Sequence, residues 1–536
     1  MDSLTHVSPV SSDTLFRVTR TTPYVLSVPR ADALRVCCPY RQPGPTTSAS
    51  SRGPPASRRE SVEMTDENPS GTSRLLATST HHPRSDTAIE ASRVTIAVVG
   101  SGPSGCYAAT FLKKAWPQAE ITVFESMPTP YGLVRYGIAA DHQGTKNVTR
   151  QFDRLFTREG VRFAGNVCVG SDVDFADIAS CFDVVVLATG LPQDRPLGIP
   201  QQAGTRVIGA GMLLRALNGH PAHTLPRDAD GRYVPLGRHL AVVGMGNVAI
   251  DVIRLMSKDP EELNGSDIND ELLEQLRPRR LTSIDVISRS GLCHAKFDLA
   301  MMRELLSLPN IDITVTGMSD NDIGPAAELL RPYIGTATDS STPEETRTQV
   351  RLHFQLTPES ITNGDGRAHL RASSPNGLAP VTEIAVDSVI TAIGFTHGAH
   401  DDRSCPTGEW SGKNVYRVGW LNRGPRGAIP ETRKDARQVV DTIANDMASG
   451  RLEVGRAGYK ALEPSLRNVV NFADWRRIEA IEQREAPPGR CRRKITDRKH
   501  MLLIATSASN SVAALNIPQR PGDGRAQQHT RRESDQ

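Results

Sequence analysis

The sequence predicts an α/β protein in which one nucleotide-binding unit is inserted into another. Two glycine-rich turns of the same design support this, VVGSGPSG at 98–105 and VVGMGNVA at 242–249. Each turn follows a run of β-branched residues and precedes a segment with helical spacing, the β-turn-α pattern of a Rossmann-like dinucleotide-binding domain. Two further apolar runs, 182–190 and 386–395, bracket the second unit and approach a glycine in the same way. They indicate that the outer domain resumes after the inner one.

These patterns also give domain boundaries. We expect 93–200 and 390–486 to form the outer domain and 201–389 the inner one. Residues 1–92 are predicted to be a disordered extension, since their first part is rich in Ser, Thr and Pro without sustained periodicity. A targeting peptide, or a true start at Met64, would account for the same composition. Residues 487–536 form a basic C-terminal segment whose last part is also expected to be disordered.

The net positive charge of the chain comes from its two ends. Residues 1–63 carry eight Arg against five acids, and residues 487–536 carry ten basic against four acidic side chains. The ends therefore account for more than the whole net charge of +3, and the part between them is acidic. A nucleic-acid partner is not indicated. No stretch approaches the roughly 18–20 apolar residues of a membrane span, so none is predicted.

The cysteine pattern argues against several chemistries. Eight cysteines are present, without a CxxC or CxxxxC spacing. Zinc sites, iron–sulfur clusters and redox dithiols all need such closely spaced ligands or partners. A disulfide reductase is therefore disfavoured, although it would share the fold, and no metal is predicted.

The first turn predicts a dinucleotide site through the roles of its glycines. Gly100 allows the tight turn out of the strand, Gly102 lets a pyrophosphate approach the backbone, and Gly105 lets the helix pack on the strand. Glu125 ends the next strand, ITVFE, where an acid accepts hydrogen bonds from ribose hydroxyls.

The second turn differs in its charges. Gly244 and Gly246 are retained, Ala249 takes the third glycine position, and the following strand leads to Arg289 rather than to an acid. An arginine at that place can pair with a 2′-phosphate, which an acid would repel. Two different dinucleotides are therefore predicted, FAD on the outer domain and NADP on the inner one, as in a flavoprotein that accepts hydride from a nicotinamide.

The segment after Glu125, SMPTPYGLVRYGIAADHQGTKNV, goes beyond any periodicity argument. It resembles the adrenodoxin reductase family of NADPH-dependent ferredoxin reductases, which have the two-domain glutathione-reductase-like fold. The resemblance continues through DRPLGIP, GNVAIDV, LRPRR, KFDLAMMRELLSLP and VYRVGWLNRGPRGAI, over about residues 93–501. It implies hydride transfer from NADPH to FAD, then single-electron transfer to a ferredoxin-type iron–sulfur protein that commonly supplies a cytochrome P450.

The resemblance also implies roles for individual residues. His142 and Glu304 match a histidine and a glutamate near the flavin that assist protons or orient the nicotinamide. The implied FAD positions, besides the turn glycines and Glu125, are Ser104, Leu133, Val169, Trp420, Gly427, Ala428 and Ile429. The implied NADP positions, besides the turn glycines, are Met245, Asn247, Val248 and Arg289.

Several residues depart from the family pattern. Ser290 stands where a second arginine is usual, and Met301 replaces a glutamate that helps to hold NADP, so the preference for NADPH over NADH is expected to be weakened. Pro430 removes an N–H donor at a predicted helix start, and Glu431 adds negative charge there. We expect this pair to lower the flavin potential or to impair nicotinamide docking.

The partner, the compartment and the alternatives complete the prediction. An acidic ferredoxin would dock on basic residues, with Arg303, Arg423 and Arg426 as candidates. The excess of Arg over Lys suggests GC-rich coding and hence a bacterial cytoplasmic protein, with the mitochondrial matrix as the alternative. Two alternative functions stay open: a degenerate family member that binds FAD with weak or no nicotinamide turnover, and a flavin monooxygenase.

Overall fold

Two parallel β-sheets organise the chain, one around each glycine-rich turn. The computed structural model describes residues 93–319, 321–335, 347–374, 381–397 and 410–507. The predicted disorder of 1–92 and of the last residues lies outside this part. Within it, the strands are β1 Thr95–Val99, β2 Glu120–Glu125, β3 Arg162–Gly165, β4 Val184–Leu187, β5 Gln193–Asp194, β6 Val207–Gly209, β7 His239–Val243, β8 Ser283–Ile287, β9 Ile311–Thr316, β10 Thr348–His353, β11 Thr357–Gly364, β12 Arg367–Ser373, β13 Thr382–Val386, β14 Ser388–Thr391, β15 Phe395–Thr396 and β16 Val415–Arg417.

The α-helices of the described residues are α1 Pro103–Ala115, α2 Leu133–Tyr136, α3 Gln143–Lys146, α4 Thr149–Thr157, α5 Phe175–Cys181, α6 Ala210–Leu217, α7 Asn247–Ser257, α8 Asp270–Leu276, α9 Leu299–Leu306, α10 Pro325–Leu330, α11 Trp420–Arg423, α12 Ile429–Ala448, α13 Tyr459–Leu462, α14 Phe472–Arg484 and α15 Arg498–Thr506. Both predicted β-turn-α units are confirmed, β1–α1–β2 and β7–α7–β8. None of these helices is long and apolar enough to cross a membrane.

The first sheet has the strand order β16-β4-β1-β2-β3, and the second β6-β14-β7-β8-β10-β9. In both, the chain continues to one side from the strand that precedes the glycine-rich turn, β1 or β7, and later returns on the other side of that strand. The carboxyl ends of the strands at such a reversal form the crevice where α/β proteins bind ligands. Each glycine-rich turn lies at this reversal.

Both faces of the first sheet are covered. Ile96 and Val98 of β1 belong to the apolar cluster that includes α1 and α12, while Ala97 and Val99 belong to the cluster on the opposite face. This alternation is that of a strand buried on both sides, which explains the continuous apolar run in the sequence.

The inner unit differs from the expected boundaries in one respect. The run 386–395 was expected to bracket the inner domain, yet its strand β14 pairs with β6 and β7 in the second sheet. The chain therefore leaves that sheet only after Thr391. An apolar run shows that a strand is buried, but not which sheet it joins. The short antiparallel pair of β5 and β15 joins the two segments that connect the sheets.

The C-terminal segment extends the first unit beyond the expected limit at 486. Helix α15 packs against α14. Its residues Met501, Ile504 and Ala505 belong to the same apolar cluster as Ile96. The basic composition of this segment concealed an apolar helix face.

Candidate functional site

The first glycine-rich turn has the geometry that its spacing predicts. Gly100 has a φ of +105°, and a Cβ there would lie 2.6 Å from the carbonyl oxygen of Ala188, just after β4. A Cβ on Gly105 would lie 2.0 Å from the carbonyl oxygen of Gly100. Both contacts are with backbone, so larger residues could not be accommodated by a side-chain rotation.

Gly102 leaves open space where a pyrophosphate would lie. No atom lies within 4 Å of the position of a Cβ on this residue. Gly102 is the N-cap of α1, whose first turn has neither a side-chain cap nor an acid. Its unbonded N–H groups and the helix dipole favour an anion. These residues fit a dinucleotide phosphate.

Glu125 is held at the end of β2 by groups of the first turn. One carboxylate oxygen accepts hydrogen bonds from the Ser101 N–H at 3.1 Å and the Ser101 hydroxyl at 2.6 Å. That hydroxyl in turn accepts a hydrogen bond from the Tyr131 N–H at 3.1 Å. Sequence reasoning missed Ser101 and Tyr131, although the PYG segment marks an unusual turn: Tyr131 has a φ of +82°.

Ser104 connects the first turn to the segment around Trp420. A Cβ on Gly419 would lie 1.9 Å from the Ser104 hydroxyl, so only glycine fits there. Trp420 follows at the start of α11, and its ring stacks on Phe395 with the centroids 5.3 Å apart. The predicted residue Ser104 thus lies beside Gly419, the residue that precedes Trp420.

Leu133 and Val169 have different environments. Leu133 begins α2 directly after Gly132, where a Cβ would lie 3.1 Å from the Cα of Gly102. Leu133 therefore lies beside the open part of the turn. Val169 is only 3% exposed within the apolar cluster of the first sheet. Little of its surface is left for a cofactor, and its predicted role has the weaker structural support.

The segment Gly427 to Ile429 leads into α12, where the departures from the family lie. Ala428 is the N-cap, and its N–H donates a hydrogen bond to the carboxylate of Glu431 at 2.9 Å. Hydrogen bonds from the backbone N–H groups of Glu431 itself and of Ala428 lower the pKa of this carboxyl. Pro430 lacks an N–H. The carboxylate of Glu431 therefore already binds an N–H group at the start of its own helix, α12.

The second turn repeats the geometry of the first. Gly244 has a φ of +119°, and a Cβ there would lie 2.3 Å from the carbonyl oxygen of Ala392, just after β14. Gly246, the N-cap of α7, has no atom within 4 Å of its Cβ position. Ala249, at the third glycine position, is fully buried. The open space and the uncapped helix start fit a second dinucleotide phosphate.

The other predicted NADP residues surround this turn. Met245 is buried, and Val248 packs partly against the core of the second unit. The Asn247 side-chain oxygen accepts a hydrogen bond from the Asp298 N–H at 2.7 Å. The backbone of Lys296 pairs with that of Gly246. Together, these two contacts hold the exposed, positively charged side chain of Lys296 beside the turn. Sequence reasoning missed this residue.

Arg289 follows β8 and is exposed. Within the described part of the chain, no hydrogen bond or ion pair engages its guanidinium, which is thus available to a phosphate. Ser290 offers its carbonyl oxygen to the Ser288 hydroxyl at 3.0 Å and cannot supply a second positive charge. Met301, at the other departure, packs against the core.

His142 and Glu304, each predicted to lie near the flavin, are brought together in the structure. His142 Nε2 lies 3.2 Å from Glu304 Oε2, although the residues are 162 positions apart. Both contact the buried guanidinium of Arg254, which sequence reasoning missed. Asp141, Asp251 and Lys258 complete a charged cluster between α7, α9 and the segment before α3.

The charges of this cluster are mutually compensated. Burial acts to raise the pKa of Asp141, but the hydrogen bonds and charge of Arg254, followed by those of Lys258, outweigh it and lower the pKa to about 2. Burial raises the pKa of Asp251 despite the nearby guanidinium of Arg254. The oxygens of Asp141 and Glu304, with His142, lie close enough to ligate a metal ion. Because Arg254 and Lys258 already bind both carboxylates, the cluster does not fit a further cation.

Comparison with known proteins agrees with this geometry. Residues 94–276 match the family model of the pyridine nucleotide-disulphide oxidoreductases. The five cysteines in the described part of the chain are all free thiols, and none of them forms a disulfide. The match to this family therefore concerns the fold.

Three relatives cover most of the chain. Cindoxin reductase of Citrobacter braakii is 40% identical over 431 residues, 77% of this chain and 92% of that protein. The mitochondrial NADPH:adrenodoxin oxidoreductase of Mus musculus is 30% identical over 458 residues, 76% of this chain and 91% of that protein. The structure of Mycobacterium tuberculosis FprA in complex with NADPH superposes with a TM-score of 0.66 at 30% identity, covering 77% of this chain and 100% of that chain. The chain therefore belongs to the adrenodoxin reductase-like family of NADPH-dependent ferredoxin reductases.

Proposed function

We propose that this protein is an FAD-dependent oxidoreductase that takes electrons from NADPH and passes them to a ferredoxin-type protein. The observation that carries the proposal is the pair of open turns at Gly102 and Gly246, each with an uncapped helix start and each at the reversal point of its sheet. When bound, the two nucleotides supply hydride transfer to flavin and single-electron release to the acceptor.

The residues of the chain bind and orient the two nucleotides. Gly100, Gly102, Gly105 and Glu125 would hold FAD through its pyrophosphate and ribose. Ser104 and Trp420 would contribute to the FAD site from the first turn and from α11. Gly244, Gly246 and Arg289 would hold NADPH. Hydride transfer depends on this orientation more than on acid–base catalysis.

The acceptor would dock through exposed cations. Arg303 and Arg426 are exposed, as a docking residue must be. Arg423 is half-buried, and its guanidinium donates to the Thr432 hydroxyl at 2.8 Å and to the Arg426 carbonyl oxygen. We therefore assign the docking role to Arg303 and Arg426 and a turn-shaping role to Arg423. We further propose that the electrons supply a cytochrome P450 and that the protein acts in the cytoplasm.

A second candidate function is favoured by Glu431. Its carboxylate occupies the Ala428 N–H at the start of α12, where the family resemblance places the flavin and nicotinamide. A protein that retains FAD but turns over nicotinamide weakly would have this arrangement.

Flavin reduction separates the two candidates. The purified full chain with bound FAD is mixed anaerobically with equal concentrations of NADPH or NADH, and flavin bleaching is followed. A [2Fe–2S] or [3Fe–4S] ferredoxin with cytochrome c then reports onward transfer. We expect bleaching by NADPH and ferredoxin-dependent cytochrome reduction. If neither nucleotide bleaches the flavin, the proposed reductase activity is refuted in favour of a protein that only binds FAD. If the flavin is bleached but no electrons reach cytochrome c, the proposed ferredoxin acceptor is refuted.

A further inference from the structure

We propose that Arg254 is a positioning residue that fixes the ring of His142 and keeps its Nε2 atom unprotonated. The inference rests on the proposed function, because it takes His142 to be part of the flavin–nicotinamide site. Arg254 lies on α7, the helix that begins at the second glycine-rich turn, and its side chain is fully buried. A single residue would thus link the nucleotide-binding helix to the histidine.

The contact between Arg254 and His142 fixes the position of the imidazole proton. Arg254 Nη2 lies 2.6 Å from His142 Nε2. A guanidinium has only N–H donors and does not lose its proton in proteins. The Nε2 atom must therefore accept the hydrogen bond, and the imidazole proton must lie on Nδ1. Nδ1 is 3.6 Å from Asp251 Oδ1, so its N–H has a carboxylate nearby.

The same contact decides how His142 and Glu304 interact. Glu304 Oε2 lies 3.2 Å from Nε2, but an Nε2–H directed at Glu304 could not coexist with an Arg254 N–H directed at Nε2. Arg254 Nη1 also donates to the other carboxylate oxygen, Glu304 Oε1, at 2.5 Å. Arg254 therefore bridges the two residues and takes the place of a direct hydrogen bond between them.

The charge of the surroundings gives this bridge a function. The groups facing His142 are Asp251, Arg254 and Lys258 from α7, Asp141 from the segment before α3, and Glu304 from α9. Three carboxylates thus surround two permanent cations, and a proton on Nε2 would add a further positive charge to this cluster. The Arg254 N–H occupies the lone pair that this proton would need. The bridge therefore holds the imidazole in its neutral form, with the ring proton on Nδ1.

The test compares Arg254→Lys with the wild-type holoenzyme. The lysine keeps the positive charge but cannot bridge His142, Glu304 and Asp141 together. Both proteins are labelled with 15N-histidine, and the ring nitrogens of His142, assigned with His142→Gln, are followed by NMR from pH 6 to 8. Stopped-flow flavin reduction by NADPH is measured over the same range. The matched control is Arg277→Lys, which alters another arginine beside α7; its guanidinium donates to the carbonyl oxygens of Met256 and Lys258.

In the wild type and in Arg277→Lys, we expect Nε2 to stay unprotonated and the reduction rate to change less than about twofold. In Arg254→Lys, Nε2 should gain a proton within this range, and the rate should vary about tenfold with pH. A protonated Nε2 in the wild type overturns the proposal, even where Arg254→Lys fails to fold. Equal spectra of Arg254→Lys and the wild type also overturn it. The NMR result does not depend on turnover, so failure of NADPH to bleach the flavin would refute the proposed function separately.

Discussion

Arg289 is the residue to which we assign the nucleotide preference, and Arg289→Ala is expected to raise the KM for NADPH about tenfold or more. Its exposed guanidinium has no described partner and follows β8. The KM for NADH should change little, because NADH lacks the 2′-phosphate. Steady-state ferredoxin-dependent cytochrome c reduction with each nucleotide measures both constants.

The control for this prediction is Arg279→Ala, which removes another exposed arginine of the same unit. It should leave both constants unchanged. An equal rise of the two KM values in Arg289→Ala would contradict the assigned role.

Glu431 gives a second prediction at the scale of one side chain. Glu431→Gln keeps an acceptor for the Ala428 N–H but removes the charge, and the midpoint potential of bound FAD should rise by on the order of 10 mV. The bonds that lower the pKa of Glu431 keep it charged in mildly acidic solution. The difference between variant and wild type should therefore persist at pH 6 and disappear only below the ordinary glutamate pKa of about 4.3. Spectroelectrochemical titration at several pH values measures it.

A matched control is Glu453→Gln, which removes an exposed acid in the loop after α12. Its potential should equal that of the wild type. A potential of Glu431→Gln unchanged at pH 7 would show that Glu431 lies too far from the flavin to affect it.

The sequence predicts some of these residues and not others for a physical reason. The roles of Gly100, Gly102 and Gly105 depend on the conformation of one short turn, which the local sequence determines. The bond from Tyr131 to Ser101 spans 30 positions, and that from Arg254 to His142 spans 112. Such contacts depend on how the elements pack. His142 and Glu304 were predicted only because a family resemblance carries that packing information.

At the scale of the element, variants of two glycines in the β1–α1 unit distinguish effects on folding from effects on FAD binding. Gly105→Ala places a methyl group 2.0 Å from where the backbone oxygen of Gly100 lies, so β1 and α1 must move apart. We expect a loss of about 3 kcal/mol in the free energy of unfolding, which outweighs the gain of about 1 kcal/mol in helix propensity. Urea unfolding of the apoprotein measures it.

Gly102→Ala is the matched variant of the same turn. Its methyl group meets no atom within 4 Å, so the apoprotein should unfold within about 1 kcal/mol of the wild type. The Kd for FAD should nevertheless rise about tenfold or more, because the methyl group enters the space for the pyrophosphate. Equal FAD affinities of Gly102→Ala and the wild type would place the pyrophosphate elsewhere.

The assignment of elements to sheets lies beyond local sequence. The β14 run and the β4 run have similar apolar sequences, yet β4 joins the first sheet and β14 the second. Strand pairing between distant segments decides this, and periodicity carries no information about it. The apolar residues of α15 were likewise missed, because they are recognisable as a core face only once α14 is in place.

At the scale of the whole molecule, the C-terminal segment joins the two units through a buried charge cluster. Lys494 donates to Asp267 at 2.9 Å, Lys146 donates to the same carboxylate at 2.7 Å, and Lys494 also donates to the Arg135 carbonyl oxygen at 2.9 Å. Burial acts to raise the pKa of Asp267, but Lys494 and Lys146 outweigh it and hold the pKa below its ordinary range. One carboxylate thus binds both buried lysines.

Asp267→Asn is therefore expected to destabilise the protein by about 3–5 kcal/mol, because it leaves both lysines buried without a counter-charge. Lys494→Met should lower the free energy of unfolding by less. The ion pair of Lys146 and Asp267 remains, and the apolar methionine side chain replaces the buried aliphatic part of the lysine. The contribution of Asp267 is present above the ordinary aspartate pKa of about 4 and is lost as the pH falls below it. Urea midpoints from pH 7 to pH 3, with FAD in constant excess, should fall less steeply below pH 4 in Asp267→Asn than in the wild type. Equal slopes, or a larger loss in Lys494→Met than in Asp267→Asn, would show that this cluster does not stabilise the joined units by charge.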